Sequence, residues 1–437
     1  MARRPILGRG VTGDTMLVHR GTAATVTPTV RYRKKGAATF STATGTGSCA
    51  GTRCDWEVLL SGLELDGAYE YQVESDPATY ELRTCPATGT PMDVIFYGDS
   101  RDGEVEHQKI VRGALAHDPD MVFESGDIQG DGTYAGYLAG FFVTAKPLLP
   151  TVPFQAVPGN HDANADLATN YARLFPTAGR TLGDAGWRSY SAFTCGASMF
   201  IGLDSNRVSA SDAQTTFLKA QLATAAADPR IDHVFVWFHH APFSPGQHGD
   251  NAAVQSAWVP LFEAPGNKVA AVFSGHDHIY AHMNDGSRVA YFVSGGAGAP
   301  AYTLTSTSRA MTVKAVGGPK EYNFVKVHIA GAYVRATAYD DQGTVIEDWD
   351  NGQSAPVGVD GGTGGGGGGA DLGVGVDAGV GDPGAGGAGG GAGGGGPMGA
   401  TSSGGCSVGG ASGELPAALL VLALVGLALR RWRATVR

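Results

Sequence analysis

Two aspartates, an asparagine and a set of histidines, each placed just beyond a short apolar run, are the residues of this chain best suited to chemistry. Asp99 follows Gly98 in MDVIFYGDSR, Asp127 follows Gly126 in DMVFESGDIQGDG, and Asn160 and His161 follow Gly159 in VPFQAVPGNHD. Carboxylates held ~4 Å apart repel by about 4 kcal/mol at an effective dielectric near 20, so neighbouring strand ends need a cation between them. A pair of metal ions ~3.5–4 Å apart, sharing one carboxylate, meets that need. Asn160 adds a neutral carbonyl oxygen, His239 or His240 an imidazole at the end of VFVWF, and His276 and His278 two more at i and i+2. In extended backbone that spacing turns both side chains to one side of the chain, so a single loop serves both ions. His161, beside Asn160, is free to stand over a substrate and protonate a leaving oxygen. Mixed N and O donors of this kind suit Fe, Zn or Mn.

Short apolar runs must bring these residues together. The runs before Gly98, Gly126 and Gly159 are separated by helix-length segments, which is the pattern of buried parallel strands in crossover units. Their carboxyl ends point one way, towards the edge where open α/β sheets bind ligands. HQKIVRGALAH places Ile110, Val111, Ala114 and Leu115 at helical spacing. AGYLAGFFVTAKPLL repeats that role and is stopped by Pro147 and Pro150. A helix is predicted from about Ala213 to Ala227, and strands at SMFIGLDS, HVFVWFHHAPF, VAAVFSGHDHIY and VAYFVSGGAG. The stretch EYNFVKVHIAGAYVRATAYDDQGTVIEDW reads as paired hairpins turning at Ala330-Gly331 and Asp340-Gly343.

Before residue 90 the chain is strand-like, with Gly, Asp and Pro between short alternating runs, the signature of an antiparallel sandwich. Trp56, Leu60, Leu63, Tyr69, Tyr71 and Val73 are its expected inner face. With 437 residues, 43% of them hydrophobic, the chain can bury a large core in two or more folded units. A formal net charge of −10 argues against a broad nucleic-acid surface. Of the five cysteines, Cys49 and Cys54 bracket the polar loop CAGTRC and suit a small disulfide in an exported protein. Cys85 and Cys195 are expected to be buried singly, since nothing in the sequence pairs them.

The start, MARRPILGRG, has no apolar run of signal-peptide length, so an export signal is expected to lie elsewhere. Residues 353–413 form a Gly-rich spacer that lacks the apolar surface to fold. Residues 414–437 carry LPAALLVLALVGLAL followed by a basic cluster, a stop-type flank pointing to membrane association or a processed tail.

In order, GDSR, SGDIQGDG, GNHD, FHHAPF and GHDHIY resemble the motif series of the calcineurin-like metallophosphoesterases. With a strand-rich unit in front, the chain looks most like the purple acid phosphatase branch. The resemblance implies a fibronectin-III-like β-sandwich over residues 1–90. It also implies an α/β four-layer catalytic domain over 91–352, two packed mixed sheets flanked by helices. It further implies that Asp99 binds the first metal, Asp127 bridges both, Asn160 and His276 bind the second, His278 binds the first, and His239, before the Pro-containing loop, is a further ligand. His240 is the fallback for His239. His161 resembles the family's catalytic histidine, and His248 in PGQHGD a histidine that meets the substrate phosphate as a cation.

Two positions depart from the family. The histidine usual two residues after the first aspartate is Arg101 here, and the purple branch's tyrosine three residues after the bridging aspartate is Gly130. The first metal is therefore short of a ligand, with Tyr134, Asp131 and His107 as replacements to consider. Arg101 either clamps a phosphate oxygen with its fork of donors or sits in a surface salt bridge.

The implied function is hydrolysis of phosphate esters, monoesters first, by a metal-activated water in direct in-line attack. A phosphodiesterase on the same site and a non-catalytic surface scaffold with a degenerate site are the alternatives. The tail, with Cys406 in SSGGC, the apolar run, and Arg430, Arg431 and Arg433, looks like C-terminal sorting signals of myxobacterial surface proteins. That likeness implies envelope sorting machinery as a partner, membrane contact through the tail, and display at the cell envelope.

Overall fold

The computed structural model describes residues 5–22, 27–51, 53–74, 76–166, 170–179, 189–305, 308, 310–318 and 321–355. The described residues all fall in one compact unit. Residues 356–437 lie outside the described residues. Among them are most of the expected spacer, the apolar segment, Cys406 and the terminal arginines. No helix among the described residues is long and apolar enough to cross a membrane.

Eight strands between Ile6 and Arg83 form two antiparallel four-stranded sheets. One runs in the order Ile6–Arg9, Met16–Thr22, Arg53–Leu60, Thr46–Ala50, and the other Ser41–Thr44, Thr29–Lys34, Ala68–Val73, Tyr80–Arg83. Alternation along AYEYQV turns Tyr69, Tyr71 and Val73 inward, where they meet Trp56, Leu60 and Leu63 in one core. Each of these buried side chains contributes about 1.5–3 kcal/mol relative to leaving it in water.

The sandwich is joined closely to the α/β region beyond residue 90. Ile6 packs into the core of that region while its neighbour Leu7 packs into the sandwich. Leu7 N donates to Leu149 O at 2.9 Å, and Tyr71 Oη donates to Pro150 O at 2.7 Å. The guanidinium of Arg9, fully buried, donates to Arg83 O and Asp120 O. Cys85 and Cys195 are not single buried thiols: they form a disulfide across 110 residues, alongside the expected Cys49–Cys54 bridge. Spacing along the chain gave no sign of the long bridge, because only the folded sheets bring Cys85 beside the strand Ser191–Cys195.

Beyond residue 90 the chain builds two mixed sheets. The six-stranded sheet has the order Phe154–Ala156, Met121–Glu124, Met92–Tyr97, Asn323–Ala330, Tyr333–Asp340, Val345–Asp350, its first three strands parallel. In the seven-stranded sheet, Ser198–Gly202, His233–His240, Val269–Gly275 and Ala290–Ser294 run parallel at the centre. The sheets face each other across an aromatic layer in which Phe96 and Phe273 stack at 3.8 Å. Helices Glu104–Ala116, Tyr134–Ala139 and Phe141–Thr144 share a core with the outer face of the first sheet. Ala213–Ala227, Ala252–Ala257 and Val259–Phe262 do the same for the second. The result is helix, sheet, sheet, helix.

The expected helix over 135–149 is two short ones, broken where Gly140 caps the first and starts the second and ending before Pro147. Gly140 loses more backbone freedom in a helix than other residues, and a break there avoids that cost.

Candidate metal centre

Parallel strands of both sheets end at one place. Gly98-Asp99 follows Met92–Tyr97 and Gly126-Asp127 follows Met121–Glu124, while His239 and His240 close His233–His240 and His276 follows Val269–Gly275. At these tips Asp99, Asp127 and His276 have φ of 62°, 55° and 70°, the left-handed region that L-residues seldom occupy. Backbone held there costs of order 1–3 kcal/mol per residue and gathers at functional sites. Glycines permit the crowding: a Cβ on Gly159 would stand 2.1 Å from Asp127 Oδ1, and one on Gly275 2.2 Å from Asp99 Oδ2.

His239 is the centre of the cluster. Its Nδ1 lies 3.0 Å from Ser125 O, an acceptor, so Nδ1 donates and Nε2 is turned to the other candidates. Nε2 stands 3.0 Å from Asn160 Oδ1, 3.2 Å from His276 Nδ1 and 3.4 Å from Asp127 Oδ1. Separations of ~3.0–3.4 Å are the edges of a coordination shell with bonds of ~2.1 Å. A backbone carbonyl behind the imidazole is the usual means of fixing a ligand histidine. His239, not His240, therefore faces Asp127 and Asn160. His240 has Nδ1 2.9 Å from Ser205 Oγ and its ring 4.4 Å from that of His276, close enough to group with His239 and His276 around one point.

The charges respond to this crowding. Burial raises the Asp127 carboxyl, but His239 overcomes it and holds the group well below the usual carboxylate range. Burial lowers His239, yet Asp127 and Asp99 push it up to about 9. Burial and the neighbouring His239, His240 and His248 rings hold His276 far below the usual imidazole value.

On the other side, His278 has Nδ1 2.7 Å from Pro300 O, leaving Nε2 3.5 Å from Asp99 Oδ1. Asp99 Oδ2 accepts from His276 N at 2.8 Å, whereas Oδ1 is buried without a hydrogen-bond partner, as suits an atom awaiting a cation. His276 and His278 are not carried on extended backbone: Asp277 N bonds Gly275 O and Ile279 N bonds Asp277 O, so a tight turn directs His276 to His239 and His278 to Asp99.

Arg101 forms a salt bridge with the half-exposed Asp102 while its own side chain is only 12% exposed, the guanidinium lying inward beside the cluster. The guanidinium reaches Asp102, stands with Nε 3.4 Å from Asp127 Oδ2, and with Nη2 3.4 Å from His278 Nε2. None of the three suggested replacement ligands joins the cluster. His107 Nδ1 bonds Thr144 Oγ1 among buried aromatic rings, Tyr134 lies beneath Arg53, and Asp131 accepts from Thr133 N.

His161 N donates to Asp127 Oδ1 at 2.8 Å, and its Nδ1 lies 2.7 Å from Gly130 O. Its Nε2 is thus presented at the rim, 3.9 Å from Asp127 Oδ2. His248 is exposed and stacks on His276 at 4.0 Å, its backbone N donating to Asp277 Oδ1. Three residues were missed in the sequence. Tyr302 stacks on His278 at 4.0 Å and faces His248 at 5.6 Å. Asp277 ties the loop carrying His248 to the turn carrying both histidines. Asp162 accepts from Asp127 N and Gly159 N at 2.8 Å and from Tyr137 Oη at 2.6 Å. Burial, then Asp127, raises its carboxyl to about 7. Asp162 and Asp277 sit inside GNHD and GHDH, where a signal was available. Tyr302 is isolated in sequence and had none.

Fold and site together define a two-sheet α/β domain with a candidate metal-ligand cluster at the strand tips. Residues 92–280 match the family model of the calcineurin-like phosphoesterases, so the chain carries a domain of that kind. No curated protein matches by sequence. Among solved structures, the chain resembles a purple acid phosphatase from yellow lupin (Lupinus luteus) seeds at 15% identity and a TM-score of 0.67. That match covers 80% of this chain and 74% of the lupin one. A Plasmodium protein described as GAP50, the anchor in the inner membrane complex, is 16% identical, with a TM-score of 0.47 over 59% of this chain and 88% of that one. A dimetal phosphatase from Danio rerio is 14% identical, with a TM-score of 0.41 over 59% and 98%.

Proposed function

We propose that the protein is a metal-dependent phosphoric ester hydrolase acting most readily on monoesters. The observation that carries this reading is the placing of Asn160 Oδ1, His276 Nδ1 and Asp127 Oδ1 each within 3.4 Å of His239 Nε2, with His161 and His248 beside them. A divalent cation held there supplies a water of lowered pKa and draws charge from the phosphoryl oxygens.

The chain's own groups do the rest. Asp127 and Asn160 orient the site through the hydrogen bonds that fix their loops. His161, held by Gly130 O, presents Nε2 to the leaving oxygen and gives it a proton. His248, stacked on His276, offers its ring N–H to a phosphate oxygen. Tyr302, stacked on His278, offers a flat wall to an aromatic or sugar leaving group.

In this reading residues 1–90 are a fibronectin-III-like domain that braces the catalytic domain of 91–352. The disulfides suit an oxidising compartment. The apolar tail then serves attachment at the cell envelope, a role checked by fractionating cells that express the chain with and without residues 414–437.

The test is hydrolysis of a chromogenic phosphomonoester and its matching diester by protein loaded with Mn, Zn or Fe. Turnover on the monoester that is lost in Asn160→Ala and His276→Ala supports the proposal. Turnover confined to the diester moves it to a phosphodiesterase, and none on either substrate with any of the metals rejects it.

A further inference from the structure

We propose that the guanidinium of Arg101 stands in for the first metal ion, so that the centre binds a single ion, at the position of Asp127, Asn160, His239 and His276. This rests on the metal-dependent reading above and changes its stoichiometry. The family resemblance implies two ions, and the two halves of the site are unequal. In one half three donor atoms, Asn160 Oδ1, His276 Nδ1 and Asp127 Oδ1, stand within 3.4 Å of His239 Nε2, with His240 alongside. The other has Asp99 and Asp127, which reach only the shared His239 as a third close donor, and His278 beside Asp99, and among the described residues none of Tyr134, Asp131 or His107 completes it.

Arg101 sits where the missing ion's charge belongs. Its backbone N donates to Asp127 O at 3.2 Å, fixing it beside the shared aspartate. Nη1 is tied to Asp102, and Nε points to Asp127 Oδ2 at 3.4 Å. Because His278 Nδ1 must donate to Pro300 O, the neutral ring has its lone pair on Nε2, and Arg101 Nη2 stands 3.4 Å from it. The lone pair that would bind a first ion is taken by a donor. An ion placed between Asp99 Oδ1 and His278 Nε2 would face the permanent positive charge of Arg101, whose Nη2 is 3.4 Å from His278 Nε2. The guanidinium supplies that charge instead: it balances Asp99 and Asp127 and cannot be lost by deprotonation or chelation. Asp99 Oδ1, buried without a partner, remains the atom that would welcome a second ion once Arg101 is removed.

The experiment is metal counting on the full chain, saturated with Mn(II) or Zn(II), freed of excess and analysed by mass spectrometry, with the Mn(II) magnetic-resonance signal recorded in parallel. Wild type is expected to hold one ion per chain and give an isolated-ion signal. Arg101→His should hold two and give a spin-coupled signal, and Arg101→Lys, which keeps a cation, should stay at one. Two ions in wild type overturn the proposal, as does one ion in both wild type and a folded Arg101→His. If Arg101→His does not fold, the wild-type count and Arg101→Lys still decide. One bound ion without turnover on any phosphate ester would count against the hydrolase reading and leave this assignment standing, whereas two ions with turnover would do the reverse.

Discussion

The carboxylate of Asp162 accepts the backbone N–H of Asp127 at 2.8 Å, so the residue two places after Asn160 holds the loop of the shared aspartate. It also receives Gly159 N and Tyr137 Oη, tying three segments at one buried point. Asp162→Ala should weaken metal binding by about 10- to 100-fold, the usual cost of losing a group that orients a ligand. A metal titration followed by calorimetry checks this, and an affinity equal to wild type would show that Asp127 keeps its place without help.

The two rim histidines should separate in kinetics. His161→Ala is expected to lower kcat by ~10²–10⁴ with KM little changed, as for loss of a general acid. His248→Ala should act mainly on KM, since its side chain meets phosphate and not the leaving group. Steady-state rates on an activated and a poor leaving group give a further check. The His161 defect should shrink when the leaving group needs no proton.

The Cys85–Cys195 bridge joins the end of the sandwich to a strand of the seven-stranded sheet. Replacing both with Ser should cost about 2–5 kcal/mol of stability, as removal of a disulfide closing a long loop commonly does. Thermal unfolding with and without reductant reads this: wild type should lose most of the difference on reduction, and the double variant little. A variant as stable as the oxidised wild type would show that the sheets hold these segments unaided.

Glu124 bears on pH. It is fully buried between Ser100 and Tyr97, and burial pushes its carboxyl well above the ordinary value. The folded protein thus holds this proton more tightly than the unfolded chain. Its contribution to stability is complete below the unfolded carboxylate range, about pH 4, and shrinks as pH rises towards the raised folded value. Glu124→Gln keeps the shape and an acceptor for Ser100 Oγ but does not titrate. It should match wild type near pH 4.5 and be the more stable of the two at pH 7, measured by urea unfolding at both. A wild-type advantage at pH 7 would mean that the carboxylate is ionised and paired.

The motifs from GDSR to GHDHIY single out Asp99, Asp127, Asn160, His239, His276 and His278 as candidate ligands, because ligand chemistry restricts residue type and strand ends restrict position. The parallel strands before them, the helices Glu104–Ala116 and Ala213–Ala227, and the inner face of the sandwich were legible for a similar reason: periodicity is local. Tertiary structure alone decided what depends on distance across the fold. It set Ser125 O behind the ring of His239 and Ser205 Oγ against that of His240, so that His239 faces Asp127 and Asn160. It paired Cys85 with Cys195, stacked Tyr302 on His278, and turned Arg101 inward against Asp127 and His278. A sequence states which donors a chain owns. Where each lone pair points is set by the backbone groups that fold behind it.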